Sequence, residues 1–404
     1  MLDYQLIINH KVLKLENMNL NHKTRVLKEL FRLGKTPLQD ASVHLNATID
    51  WLCYAQDSTP DAGVSQTYLV KNQHWANSYP ETTGYIIPTF YSYAALTGRE
   101  DIRERARQMT EWECDIQTKS GGVLAGALGD CDKPTIFNTG QVLFGWARAF
   151  EEEKNERYRE SAVKAANWLC DAQDDDGCWR RYGSPMTNNT VNTYNTRSAW
   201  GLLRVYQITQ ENKYLEAALK NIDWSLKQSF DNGWLPNNCL QDDKQPFVHT
   251  IAYAMRGFLE VGDYAKRDDF IKQAIKIGDA LLTALPSNGM LSGRFDCNWH
   301  STVKWSCLTG DAQIAINWGR LYQITGDEKY KEAMQKILKF VKSTQKLTGD
   351  IREQGGIKGS HPINGDYHPW QYPNWAAKFY ADALMIECTI FNKLKTGQRF
   401  INDG

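Results

Sequence analysis

The chain has 404 residues, and its 47 Lys plus Arg balance 47 Asp plus Glu, so it is formally neutral at pH 7. Neutrality removes the basic footprint of a nucleic-acid binder, and no stretch approaches the roughly 18 apolar residues of a membrane-spanning helix. The nine Cys, an odd number without a CxxC pair, fit reduced thiols better than a disulfide framework or a zinc site.

Residues 1–36 begin MLDYQLIINHKVLKLENMN, without the basic region, apolar run and small-residue cleavage site of a secretory signal. We read a cytoplasmic protein, with one extension helix in TRVLKELFRLGK packed outside the main body. Residues 37–404 read as a single domain, because the sequence from there on repeats.

The first repeated motif is a helical stretch that carries a Trp and ends near a Gln, with Gly following in the later copies. It appears as IDWLCYAQD at Trp51, TEWECDIQTKSGG at Trp112, ANWLCDAQDDDGCW at Trp168 and IDWSLKQSFDNGW at Trp224, the last three 56 residues apart. IGDALLTALPSNGM and LKFVKSTQKLTGD continue it as degenerate copies, which makes six. Cys53, Cys114 and Cys170 sit beside the repeated Trp and read as packing residues.

A second series interleaves with the first: ETTGYIIPTFYSYAAL, FNTGQVLFGWARAF, YNTRSAWGLLRVYQ, VHTIAYAMRGFLEV, CLTGDAQIAINWGRLYQ and YPNWAAKFYADALM. Thr83, Thr139, Thr196, Thr250 and Thr309 align within it, with Asn374 in the sixth copy, and each Thr is expected to be a helix N-cap. Apolar and small residues follow at helical intervals, and LTGRED, ITQENKY and ITGDEKY supply the Gly, Asp and Asn of short helix-to-helix turns. A helix that cannot bury its apolar face alone stacks on its neighbours. Six hairpins of this kind predict an all-α (α/α)6 barrel, a toroid whose Gly- and Ala-rich second-series helices form the inner ring. An open solenoid is the alternative.

That arrangement gathers the long loops, including GDYHPWQYPNW at Gly365–Trp375, at a mouth formed by the inner-helix N-termini. Such termini favour anionic groups. Trp75, Trp179, Trp234, Trp299 and Trp370 recur in the loops beside Asn, Asp, Gln and Arg, a mixture that suits the apolar faces and hydroxyl edges of sugars. The expected ligand is a poly- or oligosaccharide, with Trp75, Trp299, His300, Lys304, Asp366, Tyr367, His368, Trp370 and Tyr372 as candidate contacts. Each Trp taken singly also fits a role in packing its loop onto the rim.

Two catalytic sets compete. In one, Tyr194 or His249 removes the proton beside a uronate carboxylate while Arg197, standing where three other repeats have Gly, neutralises that carboxylate. This is the chemistry of a lyase or a C5-epimerase. In the other, Glu81 works with Asp311 or Asp366 as the acid and base of a glycoside hydrolase, although Glu81 and Asp311 are also well placed merely to offset a helix dipole. A non-catalytic glycan-binding or assembly-scaffold protein is the reading from a different class. No HExxH or EF-hand pattern is present, so neither a metal nor another cofactor is expected.

The segments KWSCLTGDAQIAINWGRLYQITGDEKY and GGIKGSHPINGDYHPWQYPNWAAKFYADALM, together with the repeats, make most of the chain after Pro37 resemble the squalene-cyclase-like α/α-toroid proteins of bacterial surface-polysaccharide biosynthesis. The resemblance implies a toroid, a glycan-related role and association with polysaccharide-assembly proteins. It transfers no catalytic residue. More distantly, the chain is similar to uronate lyases, glucuronyl C5-epimerases and unsaturated glucuronyl hydrolases, by fold analogy. The DxDD acid motif of triterpene cyclases is absent; QDDDGCW from Gln173 belongs to the helix-end repeat.

Overall fold

The structure, a computed structural model, describes residues 20–31, 37–187 and 189–391. A short helix α1 (Leu20–Leu30) precedes the repeats. Six helices follow at regular intervals, all of 17 residues: α2 (Ala41–Asp57), α4 (Glu100–Ile116), α6 (Glu156–Ala172), α8 (Asn212–Gln228), α10 (Asp268–Ala284) and α12 (Glu328–Thr344). Six others alternate with them: α3 (Pro80–Thr97), α5 (Ile136–Glu153), α7 (Thr196–Thr209), α9 (Val248–Ala265), α11 (Leu308–Thr325) and α13 (Asn374–Phe391).

The two sets form concentric rings. Each inner helix packs on the next, and α13 returns to pack on both α3 and α2. The toroid is therefore closed, which excludes the open solenoid. Burial follows: every residue of α3 from Pro80 to Ala94 is buried, whereas α4 buries one face and leaves its charged residues, Glu113 apart, at least partly exposed. This is the composition difference the sequence carries. Gly201 marks how tightly the inner helices cross, because a Cβ there would lie 2.4 Å from the Gly140 carbonyl oxygen.

Repeated residues tie the outer ring together at both ends. Near their starts, Tyr158, Tyr214 and Tyr330 donate to Glu111, Asn167 and Asp279 of the preceding outer helix at 2.6, 2.9 and 2.8 Å. At their ends, the Gln117 amide donates to Gly121 O in its own loop and to Ser161 O on α6, both at 3.0 Å. Gln173 does the same with Gly177 O (3.0 Å) and Ala217 O of α8 (2.9 Å). Gly177 has φ +91°, and a Cβ would come within 2.3 Å of Lys220 O, so that turn needs glycine. Gln345 closes the circle: its Nε2 donates to Gly355 O (2.7 Å) and to Thr48 Oγ1 of α2 (2.8 Å), and its Oε1 lies 2.5 Å from His44 Nδ1.

Inner helices pass to outer ones through two-residue links, such as Gly98–Arg99 and Gly326–Asp327, so all the long connections emerge at the opposite end. There the first and last mouth loops join in a small antiparallel sheet. Strand β1 (Thr67–Leu69) pairs with β2 (His74–Trp75) and with β5 (Gln371–Pro373), placing Tyr68 opposite both Trp75 and Tyr372. Strands β3 (Ser306–Cys307) and β4 (Ser360–His361) form a second antiparallel pair.

The repeated Thr residues are not N-caps. Thr83 and Thr139 lie one turn inside their helices, where each hydroxyl accepts from a backbone amide of the incoming loop, Val64 N and Val123 N, at 2.9 Å. Thr250 instead donates to Asn238 O at 2.7 Å. At these three positions the Thr staples loop to helix, whereas Thr196 donates to Ala254 O of the next inner helix at 3.2 Å; the cap position itself passes to Tyr79, Thr135 or Phe247.

Helix α1 lies against the last mouth loop. Arg25 reaches Glu353 Oε1 (3.0 Å) and Tyr372 OH (2.8 Å), and Glu29 meets Lys358 Nζ (2.9 Å) and the Ile363 amide (2.8 Å). It is the helix expected in TRVLKELFRLGK, begun four residues earlier; Arg32–Lys35 of that segment fall outside the described residues. All nine Cys are free thiols. Cys53, Cys114 and Cys170 are half-buried against the core, where burial pushes their thiols up to about 12, 11 and 11. Among the described residues no helix is long and apolar enough to cross a membrane.

Candidate functional site

The first turns of the inner helices frame one cavity at the mouth. Its lining includes Glu81 of α3, Phe137 and Asn138 of α5, Tyr194 in the 3-10 turn leading into α7, His249 of α9 and Tyr367, His368 and Trp375 of the last loop. Tyr85 and Tyr253, one turn deeper, form the floor, and Ser184, Met186 and Leu240 edge the opening. The space between them, including the part open to solvent, is about 590 Å³. The part that admits water-sized particles is about 60 Å³.

Glu81 is the second residue of α3, and its carboxyl is 8% exposed. Burial raises its pKa to about 7, against the Tyr79 hydroxyl, which donates to Oε2 at 2.6 Å, and against the positive charge of Arg197. Near neutral pH this group exchanges a proton readily, as an acid–base catalyst must.

The two histidines share one design. His249 Nδ1 lies 2.8 Å from Gln313 Oε1, and His368 Nδ1 lies 3.3 Å from Gln371 Oε1. An amide oxygen accepts, so each Nδ1 carries the proton and each Nε2 keeps its lone pair. Burial lowers their pKa values to about 3 and 4, which makes both neutral bases over the physiological range. Tyr367 sits between them, its ring 5.2 Å from His249 and 4.8 Å from His368, and its hydroxyl accepts from Trp375 Nε1 at 2.8 Å. Burial raises the Tyr194 phenol, which packs edge-on against Phe137 at 5.1 Å and stays protonated.

Of the residues expected from sequence, Glu81, Tyr194, His249, Tyr367 and His368 therefore meet in one cavity. The others lie elsewhere. Arg197 is beneath the floor, 2% exposed, with its guanidinium 5.0 to 5.9 Å from the rings of Tyr85, Phe144, Trp200, Tyr253 and Phe379. It does not line the cavity and reaches Glu81 only through its field. Asp311 turns away into a buried contact with the Ser306 hydroxyl, and burial pushes its carboxyl well above the usual carboxylate range. Asp366 is exposed, so neither carboxylate partners Glu81 across the cavity.

The mouth tryptophans are rim packing. Trp75 lies against Trp51 and Tyr68 at 5.4 and 5.2 Å; Trp299 stands edge-on to Trp234 at 5.3 Å and donates to Asn232 O at 3.1 Å. Trp179 donates to Leu169 O at 2.9 Å, and Trp370 is covered by His22 of α1 at 4.5 Å. Tyr372 donates to Glu353 Oε2 at 2.9 Å beneath the same helix. His300, which faces Asp296 at 3.3 Å, and Lys304 are exposed outside the cavity. Tyr79, Tyr253, Phe137 and Trp375 belong to the site although sequence reasoning passed over them. The available signal was position, since each lies within two turns of an inner-helix start. No cluster of His, Cys, Asp or Glu fit to hold a metal ion occurs among the described residues.

Two family models match parts of the chain: glycosyl hydrolase family 47 over residues 184–368 and pectic acid lyase over residues 129–200. No curated protein matches it. Among solved structures, the chain is similar to an unsaturated glucuronyl hydrolase specific for heparin, with TM-score 0.71 and 17% identity over 88% of this chain and 99% of that one. It is also similar to a D-mannose isomerase (TM-score 0.69, 13% identity, 87% and 97% covered) and to cellobiose 2-epimerase from Bacillus thermoamylovorans B4167 (0.67, 13%, 85% and 96%). At these identities the likeness establishes the α/α toroid.

Proposed function

We propose that this protein is a carbohydrate-active enzyme that epimerises or isomerises a sugar by moving a proton at a carbon beside a carbonyl or carboxylate. One observation carries the reading: His249 and His368, each with its Nδ1 held by a Gln amide oxygen, line the same cavity as the near-neutral Glu81. A neutral imidazole accepts the proton from carbon. The Glu81 carboxyl or the Tyr194 hydroxyl, both able to donate, stabilises the charge that develops on oxygen. The rings of Phe137, Tyr253 and Trp375 offer apolar walls to a sugar face.

The neighbours support sugar chemistry, since their titles describe a glucuronyl hydrolase, a mannose isomerase and a cellobiose epimerase. Hydrolysis by paired carboxylates is less well served, because among the described residues Glu81 is the only carboxylate that lines the cavity. A uronate is likewise not demanded: among the described residues no Arg or Lys lines the cavity to neutralise its carboxylate.

The test is incubation in D2O with a panel of aldoses, ketoses and uronate-terminated oligosaccharides. Deuterium entering beside the carbonyl or carboxylate without cleavage is the expected result. An unsaturated uronate would indicate a lyase and new reducing ends a hydrolase. Binding without turnover would indicate a scaffold, and any of these three replaces the proposal.

A further inference from the structure

Beneath the cavity floor, between the inner helices, lies a second and much smaller space lined by Arg197, Arg256, Gln313, Asn317, Ile316 and Phe379. It accommodates about one water-sized particle. The Arg197 guanidinium is unusual in its partners. Its Nε donates to Gln141 Oε1 at 2.7 Å, yet its Nη2 is buried without a hydrogen-bond acceptor, and among the described residues no carboxylate lies within ion-pair distance of it.

The neighbouring buried cations have theirs. Lys378 meets Asp382 at 2.6 Å, Arg256 meets Glu260 at 2.7 Å, and Arg320 meets Glu260 and Asp263 at 2.8 and 3.1 Å. Asp382, Glu260 and Asp263 thus serve Lys378, Arg256 and Arg320, and Arg197 is left without a carboxylate of its own. The surrounding rings stabilise the face of Arg197 but accept nothing from its N–H edge. Its charge and that of Arg256 oppose each other across the same small space. A buried ion with neither counter-ion nor full hydrogen bonding is costly.

We propose that this space is an anion site that takes a small monovalent ion of halide size between Arg197 and Arg256. A halide is little larger than water, brings Arg197 a negative charge and gives its Nη2 edge the acceptor it lacks. A phosphate, a sulfate or a sugar does not fit. The site lies one side chain from the cavity above, since Gln313 lines it and holds His249 by its amide oxygen.

Crystals of the wild-type protein grown in bromide test this directly, with anomalous scattering as the readout. A bromide peak between Arg197 and Arg256 is expected, and its absence at saturating bromide overturns the proposal in favour of a buried water. In solution, chloride at fixed ionic strength should raise the melting temperature by about 2 °C over the bulkier methanesulfonate. Arg197→Gln should remove that difference; a halide-specific shift undiminished in the variant places the anion elsewhere and also overturns the proposal.

Discussion

The Tyr79 hydroxyl donates to Glu81 Oε2 at 2.6 Å and thereby holds that carboxyl below the value burial alone would set. Tyr79→Phe removes a donor to the charged form. The Glu81 pKa should rise by about one unit from its position near 7. With Glu81 acting as an acid, the alkaline limb of kcat/KM against pH moves up with it. A limb that stays in place assigns it to another group.

The same carboxyl weakens the fold as pH rises. Its folded pKa of about 7 lies above the ordinary 4.5, so its favourable contribution is full below pH 4.5 and is lost as pH climbs through 7. Glu81→Gln should match wild-type stability near pH 4 and exceed it by roughly 2–3 kcal/mol at pH 8. Its turnover should fall. Urea unfolding at the two pH values checks the crossover, and equal gains at both would remove the linkage.

His249 and His368 act in the opposite direction. Folded values of about 3 and 4 lie below the ordinary 6.5, so the stability gained from keeping them neutral is present above pH 6.5 and is lost as pH falls toward 4 and then 3. His249→Gln should shift the acid-unfolding midpoint to lower pH. Either histidine replaced by Gln should lower kcat by about 10²–10⁴ with KM changed far less. Full turnover in both variants would dismiss them as bases.

Gln345→Ala opens the outer ring where its last helix meets its first. The change strips partners from Gly355 O, Thr48 Oγ1 and His44 Nδ1 in a fully buried place. The expected loss is about 2–4 kcal/mol by denaturant unfolding. The half-buried Gln117, which makes two bonds of the same kind, should cost less when replaced by Ala. Equal losses would mean that ring closure adds nothing of its own.

Helix α1 braces the segment that carries His368, whose own φ is +45° and whose neighbour Trp370 has φ +63°. Burial opposes ionisation of Glu29, yet Lys358 and His361 hold its carboxyl at about 2, so the contact persists at every working pH. Arg25→Ala removes the contact of α1 with Glu353 and Tyr372 and should lower kcat/KM about tenfold, or ~1.4 kcal/mol. The melting temperature should change by only a few degrees. Unchanged kinetics would confine α1 to packing.

Fold and site were legible to different depths. The ring could be read because repeated residues have repeated tasks in several copies: Gln117, Gln173 and Gln345 staple an outer helix to its neighbour, and Thr83 and Thr139 stitch loop to inner helix. Glu81, Tyr194 and His249 could be found because every inner helix starts at the same mouth. Depth was not legible. Arg197 is one position past the aligned Thr196, as Gly84 is past Thr83, yet the length of its side chain and the phase of α7 carry the charge under the floor. The orientation of Asp311 is set by Ser306, a partner that no spacing rule indicates. The loop tryptophans looked like ligand contacts because sequence records their exposure to the mouth but not the ring of a neighbour already lying on them.

The short links at one pole and the tyrosine floor at the other end of the cavity make the toroid a cul-de-sac rather than a tunnel. A polymer has no far exit through which to slide. Under the proposed chemistry such an enzyme meets a glycan only tip first, alters the unit that reaches the floor, and must back the whole molecule out before the next visit.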